Sequence, residues 1–143
     1  MNFNFKYKFK PRFTDIDSYG IAHHSKYLCW FEEARFFFLE SIMGLTSDNV
    51  IGYRFPVVRL EVNYKKPIKF GEYYIILSTL KCNYDKAKIK FEYKILDLLE
   101  KELLSDGYTE HVFLSEKGEL LLNIPDIITE KLKLVEKRMV SNL

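Results

Sequence analysis

Apolar and polar residues alternate strictly along residues 2–12, at the start of the chain. One face carries three lysines and Asn4. The opposite face carries Phe3, Phe5, Tyr7 and Phe9. A repeat of two residues is typical of a β-strand with one buried and one solvated face. We therefore predict a strand over residues 2–12, followed by a loop over residues 15–25.

A helical repeat begins after this loop. Its apolar stripe is Tyr27, Phe31, Ala34, Phe38 and Ile42, and further apolar residues widen it. A helix with so few polar positions must be nearly surrounded by protein. We predict one helix from Tyr27 to about Met43, with Ser25 as its N-cap and Gly44 as its stop.

Strand patterns dominate the rest of the chain. We predict a loop over residues 46–53, then strands over residues 55–64, 73–84, 88–98 and 103–115, and a terminal helix over residues 126–138 capped by Asp126. This order predicts an α+β fold, with an antiparallel sheet of about five strands curled around a long central helix. Such a sheet has exposed edges, so we expect homo-oligomers that pair through the sheet.

Composition and charge narrow the class of protein. The 143 residues fit a single domain over 1–143, and 48% hydrophobic with 16% aromatic content supplies a substantial core. The net charge of +2 does not imply general nucleic-acid affinity. No stretch reaches the length of a membrane span, so we expect a cytoplasmic protein with no membrane segment. We expect Cys29 and Cys82 to be buried free thiols.

The loop over residues 15–25 carries the candidate chemistry. Asp15, Asp17, Gly20, His23 and His24 lie between the first strand and the start of the helix. A helix N-terminus offers unpaired N–H groups and partial positive charge. A carboxylate at such a place can attack a carbonyl that the N–H groups polarise, or activate water against it. Taken alone, each aspartate also suits a turn or a helix cap.

Other kinds of site find little support. The three histidines do not have metal-ligand spacing, and no Gly-x-Ser-x-Gly motif is present. We therefore expect no metal and no cofactor. The middle of the chain is basic, with Lys65, Lys66, Lys69, Lys81, Lys86, Lys88 and Lys90. These lysines either lie on ordinary solvated strand faces, or a few of them bind the phosphates of coenzyme A.

The stretch from Arg12 to Ile21, followed by His24, Tyr27 and the helix segment from Trp30 to Arg35, resembles a known family. It is similar to the hotdog-fold acyl-CoA thioesterases of the 4-hydroxybenzoyl-CoA thioesterase type. The resemblance implies a long helix wrapped by an antiparallel sheet. It also implies a homodimer or homotetramer, with the acyl thioester bound at the dimer interface.

The resemblance assigns roles to particular residues. Asp17 matches the catalytic carboxylate, as nucleophile or general base, and His24 matches the position whose backbone N–H polarises the thioester. Phe13 stands where some relatives carry tyrosine, so a mechanism through that hydroxyl is excluded. Asp15 is expected to be structural. The remaining predicted substrate-binding positions are Gly20, Ile21, His23 and Tyr27.

The predicted activity is hydrolysis of an acyl-CoA thioester to a free acid and coenzyme A. Three alternatives stay open: a thioesterase for acyl-carrier protein, a hotdog hydratase, and a non-catalytic module that binds acyl-CoA. A nucleic-acid-binding role ranks below them. The acyl preference depends on pocket depth, which we expect residues such as Val58 and Tyr27 to set.

Overall fold

The computed structural model describes residues 1–46 and 52–142, and its elements follow the predicted order. They are β1 (Asn2–Phe9), α1 (Lys26–Phe37), β2 (Val57–Tyr64), β3 (Tyr74–Cys82), β4 (Lys88–Asp97), β5 (Leu103–Val112) and α2 (Asp126–Ser141). The first strand ends earlier than predicted, just before Pro11, which has no N–H for the ladder. The loop predicted over residues 46–53 lies partly outside the described residues.

The strands form one antiparallel sheet in the order β1-β3-β4-β5-β2. The predicted α+β class with five antiparallel strands is therefore confirmed. Strands β1 and β2 form the two edges. A bulge interrupts the pairing of β2 with β5 between Val57 and Arg59, and beyond it Leu60, Val62 and Tyr64 share the sheet face that α1 covers.

The first helix begins and ends within one residue of its predicted bounds, but at 17 residues it is short, so the expectation of a long central helix is wrong. Helix α1 has 12 residues, and a five-residue π-helical turn over Phe38–Ile42 continues it. In this turn the Met43 N–H donates to the Phe38 carbonyl over 2.9 Å, the i to i+5 bond of a π-helix. Gly44, with φ +67°, follows as the predicted stop.

Aromatic contacts hold α1 on one face of the sheet. Phe31 stacks on Tyr93 with ring centroids 4.3 Å apart, and Phe38 stacks on Phe5 at 4.6 Å. Gly107 lies beneath Phe31, where an added Cβ would come within 3.1 Å of that ring. A glycine at this point lets the helix approach the strands closely. Helix α2 buries three apolar residues against the same core: Ile128, Leu132 and Val135.

Several local predictions need correction. Ser25 occupies the N-cap of α1, but its side chain makes no capping hydrogen bond. Pro125, rather than Asp126, is the N-cap of α2. Cys29 is exposed, because it falls on the outer side of α1, whereas Cys82 is buried as predicted. No helix among the described residues is long and apolar enough to cross a membrane.

Candidate active site

The loop between β1 and α1 is anchored by Asp15. Its side chain is 1% exposed, and its carboxylate accepts the Arg12 N–H over 2.8 Å and the Arg12 guanidinium over 3.3 Å. Its carbonyl accepts the His23 N–H over 2.9 Å. Both ends of the loop are thereby tied to one buried residue, the structural role predicted for Asp15.

Asp17 opens a tight turn within this loop. The Asp17 carbonyl accepts the Gly20 N–H over 3.0 Å, and the Asp17 N–H donates to the Ile21 carbonyl over 2.9 Å. Gly20 has φ +78°, a backbone conformation that favours glycine. The Oδ1 atom of Asp17 accepts the Tyr19 N–H over 2.8 Å. Oδ2 has no hydrogen-bond donor among the described residues, so it can act on a bound group.

Asp17 lines a pocket of about 390 Å³ at the N-terminal end of α1. Three other predicted site residues share it, Ile21, His24 and Tyr27. Gly20 shapes the turn without lining the pocket. The ring of His23 turns aside, with its Nδ1 atom 2.8 Å from the Ser25 hydroxyl.

The His24 peptide has a defined orientation. Its carbonyl accepts the Tyr64 hydroxyl over 3.0 Å. Across residues 1–46 and 52–142, no hydrogen-bond acceptor faces its N–H. This N–H precedes the first turn of α1, where the helix dipole adds partial positive charge. Asp17 and His24 both line the pocket, so a carboxylate and a residue with an unpaired N–H lie at the same site.

Tyr27 forms an inner wall of the pocket. It is buried, and the Tyr64 ring meets it edge-on with centroids 4.8 Å apart. Burial raises the pKa of the Tyr27 hydroxyl, and a backbone hydrogen bond at Ile68 partly offsets that rise. A buried phenol that stays protonated suits a wall better than a base.

The end of β2 supplies residues that sequence reasoning did not place in the site. Tyr64, Lys65 and Lys66 line the same pocket. Lys65 lies 3.9 Å from Asp106, and Lys66 lies 2.9 Å from Glu102. The sequence marked both lysines only as members of a basic region, because nothing local links them to Asp17.

The arrangement suits attack on a polarised carbonyl. Asp17 offers one oxygen that accepts an N–H and one that is unengaged, as a nucleophile or general base requires. The His24 N–H can receive the oxyanion that forms. Among the described residues, no cluster of three or more His, Cys, Asp or Glu side chains is arranged to hold a metal ion.

Known proteins share both this sequence and this fold. Residues 11–132 match the model of the Thioesterase-like superfamily. The long-chain acyl-CoA thioesterase FadM of Escherichia coli (strain K12) is 28% identical over 131 residues, which are 90% of this chain and 96% of FadM. YneP of Bacillus subtilis (strain 168), an acyl-CoA thioesterase candidate, is 31% identical over 91 residues, 63% of this chain and 65% of YneP.

A solved structure extends the likeness to three dimensions. The hypothetical protein TT1821 from Thermus thermophilus superposes with a TM-score of 0.79 and 30% identity, covering 91% of this chain and 98% of that one. The family match spans both the loop that carries Asp17 and the end of β2. The chain therefore belongs to the Thioesterase-like superfamily, and it is an enzyme of the thioester hydrolase class.

Proposed function

We propose that the substrate is an acyl-CoA thioester and that Asp17 is the catalytic carboxylate. The observation that carries this proposal is that Asp17 and His24, whose N–H has no partner among the described residues, line the same pocket. A thioester carbonyl that accepts the His24 N–H would place its carbon near the Asp17 carboxylate. One such donor typically contributes about 3–4 kcal/mol in the transition state.

Two routes follow from this placement. In the first, the unengaged oxygen of Asp17 attacks the thioester carbon, the coenzyme A thiolate leaves, and water hydrolyses the resulting anhydride. In the second, Asp17 takes a proton from water, whose oxygen attacks the same carbon, and the coenzyme A thiolate leaves as the C–S bond breaks. Both routes give a free acid and coenzyme A, and neither calls for a metal or a cofactor.

The second part of the proposal is a homodimer with the active site at its interface. Within the described part of the chain, strand β2 pairs with β5 on one side, and no strand pairs with its opposite edge. Leu60 and Tyr64, on its inner face, are 48% and 51% exposed. Antiparallel pairing of this edge with its copy would cover both residues and continue the sheet. Further pairing to a homotetramer stays a prediction.

The lysines at the pocket rim support a coenzyme A substrate. Lys65 and Lys66 line the catalytic pocket, and their ammonium groups can bind the phosphates of coenzyme A in exchange for Asp106 and Glu102. The 4-hydroxybenzoyl-CoA thioesterase type and a cytoplasmic location stay predictions. The alternatives are an acyl-carrier-protein thioesterase, a hotdog hydratase and a non-catalytic acyl-CoA-binding module.

The test is hydrolysis of an acyl-CoA panel by the wild type and Asp17→Asn, measured as thiol release. We expect Asp17→Asn to lower kcat/KM by about 100-fold or more with its circular dichroism spectrum unchanged. Asp85→Asn, the same change in the exposed turn between β3 and β4, is the matched control and should retain full activity.

Two results would contradict parts of this proposal. A fully active Asp17→Asn enzyme would remove Asp17 from the mechanism. If the wild type hydrolyses the thioester of acyl-carrier protein but no acyl-CoA, then the acyl-carrier-protein thioester is the substrate instead of acyl-CoA. Binding of acyl-CoA without turnover of either substrate would instead favour the non-catalytic module.

A further inference from the structure

A second cavity, of about 300 Å³, lies under the far end of α1. The π-helical turn, the sheet and α2 enclose it, and its walls include Leu39, Met43, Leu80, Phe91, Ile128 and Leu132. A π-helical turn often marks a functional site, and here it lies at the wall of a cavity. The cavity is separate from the pocket that contains Asp17.

Two polar residues that line the cavity, Arg35 and His111, belong to one chain of hydrogen bonds, and the exposed Glu32 lines it as well. The Arg35 guanidinium donates to the Tyr93 hydroxyl over 3.2 Å. Tyr93 and Thr109 hydroxyls lie 2.8 Å apart, and Thr109 lies 2.9 Å from Nε2 of His111. Nδ1 of His111 lies 3.0 Å from the Phe55 carbonyl.

The Phe55 carbonyl, the last member of this chain of hydrogen bonds, determines which group donates and which accepts in each bond. Because the Phe55 carbonyl can only accept, Nδ1 of His111 carries the proton and Nε2 must accept from the Thr109 hydroxyl. Thr109 in turn accepts from Tyr93, and Tyr93 accepts from Arg35. Both ring nitrogens of His111 and the hydroxyl protons of Thr109 and Tyr93 are therefore used within this chain of hydrogen bonds. Apart from Glu32 and Arg35, which also line the cavity, the residues around it offer a ligand mainly apolar contact.

The location of the cavity suggests which active site it serves. Val57 lines the cavity, whereas Tyr64 lines the catalytic pocket, so the two lie at opposite ends of β2. The seven residue steps from Val57 to Tyr64 span about 23 Å, too far for one acyl thioester to bridge easily within a subunit. Antiparallel pairing of β2 with its copy would bring the Val57 end beside the Tyr64 end of the partner's strand, at about 5 Å.

We propose that this cavity holds the saturated hydrocarbon tail of an acyl group whose thioester lies in the partner subunit's catalytic pocket. The inference rests on the proposed thioesterase function and on the proposed dimer. It narrows the substrate class to aliphatic acyl thioesters in preference to hydroxylated aromatic ones. A hydroxyl group buried against the apolar residues of the cavity, away from Glu32 and Arg35, would lose its water without gaining a partner.

The first experiment reduces the space in the cavity. Leu39→Trp adds volume from a half-buried position of the π-helical turn. We measure kcat/KM for the wild type and the variant on saturated acyl-CoA substrates of increasing chain length, and on 4-hydroxybenzoyl-CoA. Each buried methylene contributes about fourfold, so excluding three of them should lower kcat/KM for the longest substrates by about 60-fold. Hydrolysis of the shortest substrates should be unchanged.

A matched control separates this effect from the general cost of a tryptophan. Leu134→Trp makes the same change on the exposed side of α2, away from the cavity. It should leave the chain-length profile of the wild type intact. A folded Leu39→Trp enzyme with the wild-type profile would overturn the inference, and so would a wild type that prefers 4-hydroxybenzoyl-CoA. Neither result would affect the thioesterase function itself.

Mixed dimers test whether the tail crosses the interface. Asp17→Asn retains an open cavity but loses the carboxylate, and Leu39→Trp has the opposite defect. In a mixed dimer, one site combines the intact Asp17 with the open cavity of the other subunit. Co-expression in equal amounts should restore about a quarter of the wild-type long-chain activity. No recovery, with mixed dimers demonstrated, would contradict the exchange between subunits.

A binding measurement keeps the inference testable if no acyl-CoA is hydrolysed. Calorimetric titration with dodecanoate needs no turnover, and the acid carries the same tail as the substrate. We expect the wild type and Leu134→Trp to bind it, and Leu39→Trp to bind at least about tenfold more weakly. Equal binding by all three proteins would refute the cavity as the tail site, whatever the outcome for the proposed function.

Discussion

His111 should make the stability of this protein fall between pH 7 and pH 5. Its side chain is 3% exposed, and both ring nitrogens are hydrogen-bonded. Burial lowers the pKa of His111 from 6.5 to about 4, the Phe55 hydrogen bond opposes that change, and the charge of Arg35 adds to it. Protonation would also remove the acceptor that Nε2 offers to Thr109.

The magnitude follows from linkage. Because its pKa is lower in the folded state, the neutral ring contributes stability that is fully present above pH 6.5 and lost as the pH falls toward 4. At about 1.4 kcal/mol for each pKa unit, the full loss approaches about 3 kcal/mol. About 2 kcal/mol of it should occur between pH 7 and pH 5.

The assay is urea unfolding of the wild type and His111→Gln at pH 7, 6 and 5 and fixed ionic strength. Glutamine retains an N–H donor and an oxygen acceptor but does not titrate in this range. We expect the wild type to lose about 2 kcal/mol relative to the variant across this interval. His23→Gln is the control, because it measures how removing the imidazole of an exposed histidine changes the free energy of unfolding. The reasoning would be refuted if the free energies of unfolding of the wild type and His111→Gln changed with pH by the same amount, within about 0.5 kcal/mol.

Two further predictions concern the contact between α1 and the sheet. Gly107→Ala should destabilise the protein by about 2–3 kcal/mol in chemical unfolding, because its Cβ would collide with the Glu61 carbonyl and crowd Phe31; an unchanged stability would show that the helix is not held this closely. Ser78→Ala should be neutral or stabilise by about 1 kcal/mol, since the buried Ser78 hydroxyl has no partner in the described structure. A fall in melting temperature of several degrees would point to a partner for that hydroxyl, such as a buried water.

Much of the fold was readable from local patterns. The alternation of Phe3, Phe5 and Phe9 with lysines gave the first strand, and the stripe from Tyr27 to Ile42 gave the first helix, because burial imposes periods of 2 and 3.6 residues. The loop that carries Asp17 was also visible, since its charged residues and glycine interrupt both patterns. The family resemblance rested on that same continuous stretch.

The tertiary structure decided everything that joins distant parts of the chain. Tyr64 and Lys65 line the same pocket as Asp17 only because β2 runs along the edge of the sheet and ends beside the start of α1. The hydrogen-bonded chain from Arg35 to His111 joins a helix to two strands, and each of its residues is unremarkable within its own segment. A hydrophobic period records which face is buried, but not which buried side chains will touch. That outcome depends on strand order, on register and on the close approach that Gly107 permits.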